Sequence, residues 1–302
     1  MRKLLAVGGL VAALAVGQTV WAPKGQPAVY KGPHKPHTKL KEVKAKHAGH
    51  KSWRDVVVDD GVLHSEYVQA APGEGVKRAL HPDTRAWWVV LSGEVQFDIE
   101  TVEPFTARKG SMVQVPMQTF FSWRVTGTDP AVMFETNIAG AKTLYESDMA
   151  PPKAPGFDWV RVRFNNRRIA QWEHNNKAHT TFEEVAEKLE KGTVRGTQYI
   201  VQDDRGTANF IYGYNSKLPP LDEKNKGHYH PESAEYWLIL KGLIRYPIEK
   251  VGVVIAEEGD VVYVPPFTWH APRWWGEGAS CRLAMNGYPY ISHLFDGSVG
   301  QH

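Results

Sequence analysis

The sequence repeats itself once at a separation of 149 positions, and this repeat constrains the fold more than any other feature. No gap is needed through the matching region, where turn-forming residues and one large aromatic residue coincide. Two halves that share such residues at one spacing are expected to share an architecture. The chain is therefore predicted to hold two similar domains. The matching pairs are His81 and His230, Pro82 and Pro231, Trp88 and Trp237, Gly93 and Gly242, Gly110 and Gly259, and Pro116 and Pro265.

The segments around these shared residues are short and rich in β-branched and aromatic residues, which is typical of an antiparallel sandwich or barrel. One helix is predicted over 182–191, because Thr181 and Glu184 form a capping box before it and Gly192 can end it. The Pro-rich stretch 151–156 marks the start of the linker that contains this helix. Strands are predicted in the first half over 56–58, 63–69, 86–91, 95–99, 111–115, 120–125 and 132–137.

Four side chains of the second half have the spacing of a metal site. His228 and His230 are separated by one residue, so they point to the same side of a strand. Glu235 follows a short loop and can return to that side, and His270 comes after another predicted strand and a Pro-rich turn. Three imidazoles and one carboxylate suit a divalent transition ion. Histidines that only form hydrogen bonds in a core are the alternative.

The first half lacks most of these side chains. At the separation of 149, Ala79, Ala86 and Phe121 occupy the positions of His228, Glu235 and His270, and His81 alone remains. One imidazole cannot hold an ion, so His81 is interpreted as a polar residue of a filled barrel. Because the first half keeps its glycines, proline and tryptophan without the ligands, packing alone does not explain the histidines of the second half.

The stretch from His228 to Gly242 resembles the first motif of the cupin superfamily, and the stretch from Gly259 to His270 resembles the second. Two positions of the second motif differ, since Phe267 stands where glycine is usual and Trp274 where asparagine is usual. The resemblance covers about residues 55–295. It implies an all-β bicupin, with two cupin barrels of the jelly-roll (double-stranded β-helix) type and a short linking helix. It also implies one divalent transition-metal ion, such as Fe, Mn, Ni, Cu, Co or Zn, in the second barrel, held by His228, His230, Glu235 and His270.

The same resemblance implies a reaction on a small oxygen-bearing organic molecule. A dioxygenase-type oxidoreductase is the leading expectation, because an open metal site can bind a substrate beside dioxygen. A non-enzymatic ligand- or metal-binding cupin is the first alternative, and a cupin lyase, decarboxylase or isomerase is the second. Oxalate decarboxylases usually carry ligands in both halves, and cupin lyases that cleave dimethylsulfoniopropionate typically have a tyrosine at the position of Trp237.

Trp237, Trp269 and Arg282 are the predicted substrate-binding residues. The two indole rings suit a flat ligand, and the guanidinium can pair with a carboxylate. Packing in the core and surface ion pairing are the alternatives for these residues. Trp237 is expected to share the inward face of its strand with Glu235, while Tyr236 faces away. No catalytic residue is assigned.

The first 22 residues are typical of a secretory signal, since Arg2 and Lys3 precede an apolar run over 4–16 and the expected cleavage follows Ala22. An uncleaved membrane anchor is the alternative. A periplasmic or secreted protein without a transmembrane domain after processing is therefore predicted. Cys281 is the single cysteine, so no intrachain disulfide can form.

Residues 23–54 contain nine basic residues and one acidic residue, Glu42, and are predicted to be a solvated, partly disordered arm whose histidines could capture metal. Eleven of the 36 Lys and Arg residues but one of the 33 Asp and Glu residues precede residue 55, so the rest of the chain is mildly acidic and no nucleic-acid partner is expected. A small-molecule substrate is expected, and the resemblance implies a homodimer through barrel edges. The predicted division is 1–22 signal, 23–54 arm, 55–150 first barrel, 151–220 linker with helix and β segments, and 221–295 metal-binding barrel.

Overall fold

Two six-stranded antiparallel sheets, one centred on each half of the chain, lie against each other in the middle of the molecule. The structure is a computed structural model that describes residues 19–194 and 197–297. The predicted signal segment lies outside the described residues over 1–18. A smaller set of strands covers the outer side of each large sheet, so each half forms a jelly-roll barrel. The predicted all-β fold with two barrels is confirmed.

The described part of the first half, from residue 19 onward, contains eleven strands and one short helix, α1 (Leu40–Lys46). The strands are β1 (His37–Thr38), β2 (Trp53–Asp59), β3 (Leu63–Ala70), β4 (Gly75–Leu80), β5 (Ala86–Ser92), β6 (Glu94–Ile99), β7 (Phe105–Arg108), β8 (Ser111–Val115), β9 (Phe121–Val125), β10 (Ala131–Ile138) and β11 (Leu144–Tyr145). All seven strands predicted in this half overlap observed ones, whereas β1, β4, β7 and β11 were not predicted.

The second half begins with β12 (His179–Thr181) and helix α2 (Phe182–Glu190), and short 3₁₀ turns occur at Glu173–Asn175 and Asn215–Lys217. The Thr181 hydroxyl accepts a hydrogen bond from the Glu184 N–H (3.1 Å), as the predicted capping box requires. The remaining strands are β13 (Gln198–Asp203), β14 (Gly206–Tyr214), β15 (His228–Tyr229), β16 (Glu235–Lys241), β17 (Leu243–Ile248), β18 (Gly252–Glu257), β19 (Val261–Val264), β20 (Arg273–Trp275), β21 (Ala279–Asn286) and β22 (Leu294–Phe295).

Alternation along the strands divides the apolar residues into three cores. The sheet of order β12-β8-β5-β10-β3-β2 faces the sheet of order β1-β19-β16-β21-β14-β13. Trp87 and Tyr236 lie in the core between these sheets, while the next residues, Trp88 and Trp237, lie inside their own barrels. Tyr236 is thus buried away from the interior of its barrel, and its hydroxyl lies 2.7 Å from Ser65 Oγ of the first barrel. The predicted facing of Tyr236 and Trp237 agrees with the structure.

The segment predicted as a disordered arm is instead part of the second barrel. Its strand β1 pairs with β19, and Tyr30 donates a hydrogen bond to the Tyr263 carbonyl (3.0 Å). Val43 of α1 is buried in the core between the barrels. The lysines of this segment face the solvent, whereas its few apolar residues form a stripe that is buried against the barrel. The segment can therefore be both highly charged and ordered.

The linker in turn adds a strand to the first barrel, because its strand β12 pairs with β8. The segment before each barrel in the chain therefore joins the other barrel, and we call these two pieces the exchanged segments. The two exchanged segments match at a separation of 142 positions, with His37-Thr38 and Glu42-Val43 equivalent to His179-Thr180 and Glu184-Val185. His37 Nε2 lies 2.6 Å from Asp260 Oδ2, and His179 Nε2 lies 2.9 Å from Ser111 Oγ, so both histidines contact equivalent residues of the barrel that they join.

The exchange explains one of the repeated glycines. Gly110 and Gly259 have φ of +85° and +88°, which favours glycine. A Cβ would lie 3.0 Å from Phe182 Cβ at Gly110 and 2.5 Å from Leu40 Cδ2 at Gly259. Since Phe182 and Leu40 are the first residues of α2 and α1, each glycine leaves room for the helix of the exchanged segment.

The predicted boundary at residue 221 is also corrected. Strand β13 pairs with β14, and β14 pairs with β21 over eight residues, so the sheet of the second barrel already includes the residues from Gln198. The sequence did not reveal this, because equivalent residues of the two halves are 149 positions apart only from β15 onward. The loop between β14 and β15 changes this separation for the residues before it. Among the described residues, no helix is long and apolar enough to span a membrane.

Candidate metal centre

The four predicted ligands come together at one end of the second barrel. His228 begins β15, His230 directly follows it, and Glu235 begins β16. His270 forms backbone bridges to His228 and to Ile248. One nitrogen or oxygen atom of each ligand side chain lies within 4.8 Å of those of the other three. His230, Glu235 and His270 are buried, and His228 is half-buried. The cluster could therefore hold a metal ion.

Backbone carbonyls orient two of the imidazoles. His230 Nδ1 lies 2.8 Å from the Ser292 carbonyl and His270 Nδ1 lies 2.9 Å from the Thr268 carbonyl, so each Nδ1 donates a proton. Both Nε2 atoms then face Glu235 Oε2, at 3.0 Å from His230 and 3.3 Å from His270. His270 Nε2 is buried without a hydrogen bond of suitable geometry among the described residues. A buried nitrogen lone pair that points at a carboxylate fits a metal ligand better than a core histidine.

The electrostatics of the cluster match this donor set. Burial, and to a smaller extent nearby His270, lowers the pKa of His228 to about 2, so this ring is neutral. Burial opposes ionisation of Glu235, but hydrogen bonding to His230 and the proximity of His270 outweigh it and hold the Glu235 pKa well below its usual value. Burial also favours neutral His230, but the Glu235 carboxylate raises the pKa of His230 above its usual value. The proton of His230 and a cation would compete for the same atoms.

Two backbone conformations hold the ligand segments together. Gly227 has φ of +75°, and a Cβ there would lie 2.0 Å from the His270 carbonyl oxygen, so only glycine lets the His228 strand approach so closely. Phe267, at the position where glycine was expected, has φ of +59°, and its N–H donates to the His230 carbonyl (2.8 Å). Phe267 therefore adopts the left-handed conformation that the turn requires, and the departure from the motif leaves the turn intact.

A fifth polar side chain, His293, contacts the cluster and was missed by the sequence reasoning. Its ring centroid lies 4.6 Å from that of His230 and 4.9 Å from that of His228. It is placed there because β22 pairs with β15 and because Ser292 donates hydrogen bonds to Glu232. His293 lies 23 positions beyond His270 and outside the repeat of the sequence. The sequence contained one indication of its role, since three of the four predicted ligands are histidines and His293 is a further histidine near the end of the chain.

Of the three predicted substrate-binding residues, only Trp237 lies beside the cluster. Its ring centroid is 5.2 Å from that of His270, and its side chain is fully buried. Trp269 instead packs edge-on against Tyr229 (4.8 Å), which alternates with the two histidines and faces away from them.

Arg282 is not brought to the cluster either. It lies opposite Ile239, four residues along β16 from Glu235, which is about 13 Å at the rise of a strand. Its guanidinium is placed over the Trp274 ring, 4.8 Å from the centroid. Strand parity indicates the face on which a residue lies but not its depth along the barrel, so it could not distinguish Arg282 from a residue beside the predicted ligands.

Two regions of the chain, residues 66–137 and 216–285, match the family model described as the cupin domain. Each region contains one half of the repeat. No curated protein sequence matches the chain.

Solved structures with the same fold cover most of the chain at low sequence identity. A cupin 2 conserved barrel domain protein from Leptotrichia buccalis is 12% identical, with a TM-score of 0.56, and the match covers 83% of this chain and 95% of that one. Salicylate 1,2-dioxygenase from Pseudoaminobacter salicylatoxidans, solved with gentisate, is 12% identical, with a TM-score of 0.62 and coverage of 86% and 84%. Oxalate decarboxylase from Bacillus subtilis is 13% identical, with a TM-score of 0.52 and coverage of 88% and 79%. At these identities the likeness establishes the fold alone.

Proposed function

This chain is a bicupin of the cupin superfamily, and from that premise we propose that it is an exported, metal-dependent enzyme that acts on a small oxygen-bearing organic molecule. We place the reaction at the second barrel and assign it to the dioxygenase-type oxidoreductases. The proposal rests mainly on one observation, which is the buried convergence of His228, His230, Glu235 and His270 within 4.8 Å.

The side chains of the cluster have separate roles in this proposal. His228, His230, Glu235 and His270 bind one divalent transition ion. The ion, when bound, supplies a Lewis acid and a meeting point for an oxygen-bearing substrate and dioxygen. The Ser292 and Thr268 carbonyls fix the tautomers of His230 and His270, so that each ring presents Nε2 to the centre.

Residues next to the ligands shape the substrate site. Trp237 forms an apolar wall next to His270, and Phe295 approaches His228 with a centroid distance of 5.0 Å. His293 can accept or donate a proton at a substrate bound beside His228 and His230, since its ring contacts both. A substrate with a flat apolar part and a polar oxygen group suits this combination of aromatic and imidazole side chains.

The similar structures favour the same class of substrate. One is an enzyme named for salicylate and the other for oxalate, and both names denote small carboxylic acids. One of the two is a dioxygenase, and this is the class of reaction proposed here. Export is supported by the basic start and by the apolar run over 4–16.

Metal analysis and oxygen uptake test the proposal together. The purified chain, loaded separately with Fe²⁺, Mn²⁺, Ni²⁺, Cu²⁺, Co²⁺ and Zn²⁺, is assayed for oxygen consumption with hydroxybenzoates, catechols, flavonols and β-diketones, and for carbon dioxide release with oxalate. We expect about one ion per chain and oxygen uptake with at least one substrate, and loss of both in His230→Ala.

The other outcomes separate the remaining classes. Carbon dioxide release without oxygen uptake would assign the chain to the decarboxylases. A stoichiometric ion without any turnover would favour a ligand- or metal-binding cupin. Oxygen uptake that persists in metal-free His230→Ala protein would contradict the assignment of the reaction to this centre.

A further inference from the structure

The first barrel contains a cavity at the place where the second barrel has its ligands. The cavity has a volume of about 520 Å³ and is lined by Ala79, His81 and Phe121, which are equivalent to His228, His230 and His270. This volume lies within the range of sites that hold small organic ligands. The wall also includes Trp88, Trp123 and Tyr145, so most of its large side chains are aromatic.

The polar groups of this wall are arranged as donors and acceptors rather than as a metal site. Trp123 lines the cavity with the apolar part of its ring, since its Nε1 is inaccessible to solvent. His81 Nδ1 lies 3.0 Å from the Lys142 carbonyl, which leaves Nε2 as an acceptor. Burial lowers the pKa of His81, so the ring is neutral.

The charges of the wall favour an anion. The Glu135 carboxylate already has partners within the protein. It accepts a hydrogen bond from Trp88 Nε1 (2.8 Å) and pairs with Arg54, which also pairs with Glu66. Lys77 lines the cavity and has no carboxylate partner among the described residues, and its ammonium group donates to the Ala150 carbonyl (2.9 Å). The equivalent residue of the second barrel, Lys226, is paired with Asp296 at 3.1 Å. An unpaired ammonium beside aromatic walls suits a carboxylate on a flat ring.

We infer that the first barrel is a metal-independent binding site for a small aromatic carboxylate. The ring lies among Trp88, Phe121 and Trp123, the carboxylate pairs with Lys77, and His81 Nε2 can accept a hydrogen bond from a ring hydroxyl. No bond is made or broken there. The inference does not depend on the reaction proposed for the second barrel.

Calorimetric titration of the full chain with benzoate and 4-hydroxybenzoate tests the inference, with benzyl alcohol and benzylammonium as neutral and cationic probes. We expect saturable binding of one carboxylate per chain with equal affinity in metal-free and metal-loaded protein. Lys77→Met should weaken binding about 3- to 5-fold, because an ion pair with an exposed lysine is weak. Lys226→Met is the matched control and should bind like the unchanged chain.

Several results would overturn the inference. These are an absence of benzoate binding at millimolar concentration, tighter binding of benzylammonium than of benzoate, and unchanged affinity in Lys77→Met. Loss of benzoate binding in His230→Ala with retention in Lys77→Met would place the ligand in the second barrel. Because Lys77 is exposed at the mouth, its replacement should leave the fold intact and affect binding alone.

Discussion

The two barrels have the same backbone turn at the mouth but different side chains around it. In the second barrel Phe267 N–H donates to the His230 carbonyl at 2.8 Å, and in the first Gln118 N–H donates to the His81 carbonyl at 2.7 Å. Both donors have positive φ, +59° and +60°. The turn is thus retained where the ligands are absent, so the imidazoles are not what holds the barrel together.

The side chains that stand in the first barrel at the positions of the predicted ligands also change the interior of that barrel. Phe121 packs against His81 and Trp88 with centroid distances of 5.5 and 5.2 Å, while His270 at the equivalent position points its Nε2 at Glu235. Deeper in the first barrel Glu135 binds the Trp88 indole, whereas the equivalent residue of the second barrel is Ala284, in an apolar core. One barrel therefore concentrates its polar groups in a cluster that could hold an ion, and the other distributes them around a cavity.

The largest difference between the barrels should appear in metal binding. His230→Ala removes one of four donors and should lower metal affinity about 100-fold or more, since loss of even an indirect contact to a ligand costs 10–100-fold. His81→Ala, at the equivalent position of the first barrel, should leave metal content unchanged. Elemental analysis of the two variants after dialysis against a weak chelator measures both. Equal metal loss in the two variants would remove the contrast between the barrels.

Removal of the exchanged segment should destabilise the second barrel more than the first. A chain that begins at residue 48 loses His37 and Leu40, which bond Asp260 Oδ2 and Oδ1 at 2.6 and 3.1 Å. Asp260 is buried, so loss of its partners should cost about 3 kcal/mol of the free energy of unfolding. Urea unfolding followed by tryptophan fluorescence measures this, with a chain that begins at residue 23 as the control. Coincident unfolding curves for the two chains would show that the segment adds no stability.

The two exchanged helices should contribute equally to the core between the barrels. Val43 and Val185 are equivalent, and both side chains are buried there. Val43→Ala and Val185→Ala should each lower the free energy of unfolding by about 1–2 kcal/mol, because each removes two buried carbon atoms. Val253→Ala, at a half-exposed position, is the control and should have little effect. If the losses of unfolding free energy in the two variants differ by more than about 1 kcal/mol, the two helices do not stabilise the core equally.

The smallest expected difference concerns the acids in the first turns of these helices. Hydrogen bonds from Lys177 and Lys188 lower the pKa of Glu184 from 4.5 to about 2, while the equivalent Glu42 pairs with Lys39 at 3.3 Å. Because the folded pKa is the lower one, the contribution of Glu184 is complete above its unfolded pKa and is lost as the pH falls towards the folded value. The Glu184 side chain is about a third exposed, so the effect should be a few tenths of a kcal/mol.

This last effect is measured as the change in the urea midpoint between pH 6 and pH 3.5. Glu184→Gln should make the midpoint less dependent on pH, and Glu42→Gln should leave the dependence as it is. The opposite pattern would show that the first-turn acid of α1, rather than that of α2, is coupled to folding.

Local patterns of the chain were enough to predict seven strands, the helix and the four side chains that meet in one cluster. The seven predicted strands of the first half overlap observed ones, and Thr181 caps the helix as its spacing with Glu184 requires. These predictions succeed because alternation and capping depend on neighbours within a few residues. The reciprocal exchange was not predicted, although the match of His37-Thr38 with His179-Thr180 is present in the sequence at its own separation of 142.

The sequence by itself determined that the chain has two similar β domains and that only the second carries three histidines and a glutamate at ligand spacing. Tertiary structure decided which side chains join that cluster. It placed His293 beside it through the pairing of β22 with β15, and it left Trp269 and Arg282 elsewhere. It also decided that the charged N-terminal segment packs on the second barrel. The physical reason is that spacing sets the face on which a side chain lies, whereas its depth in a barrel and its partners depend on pairings between segments far apart in the chain.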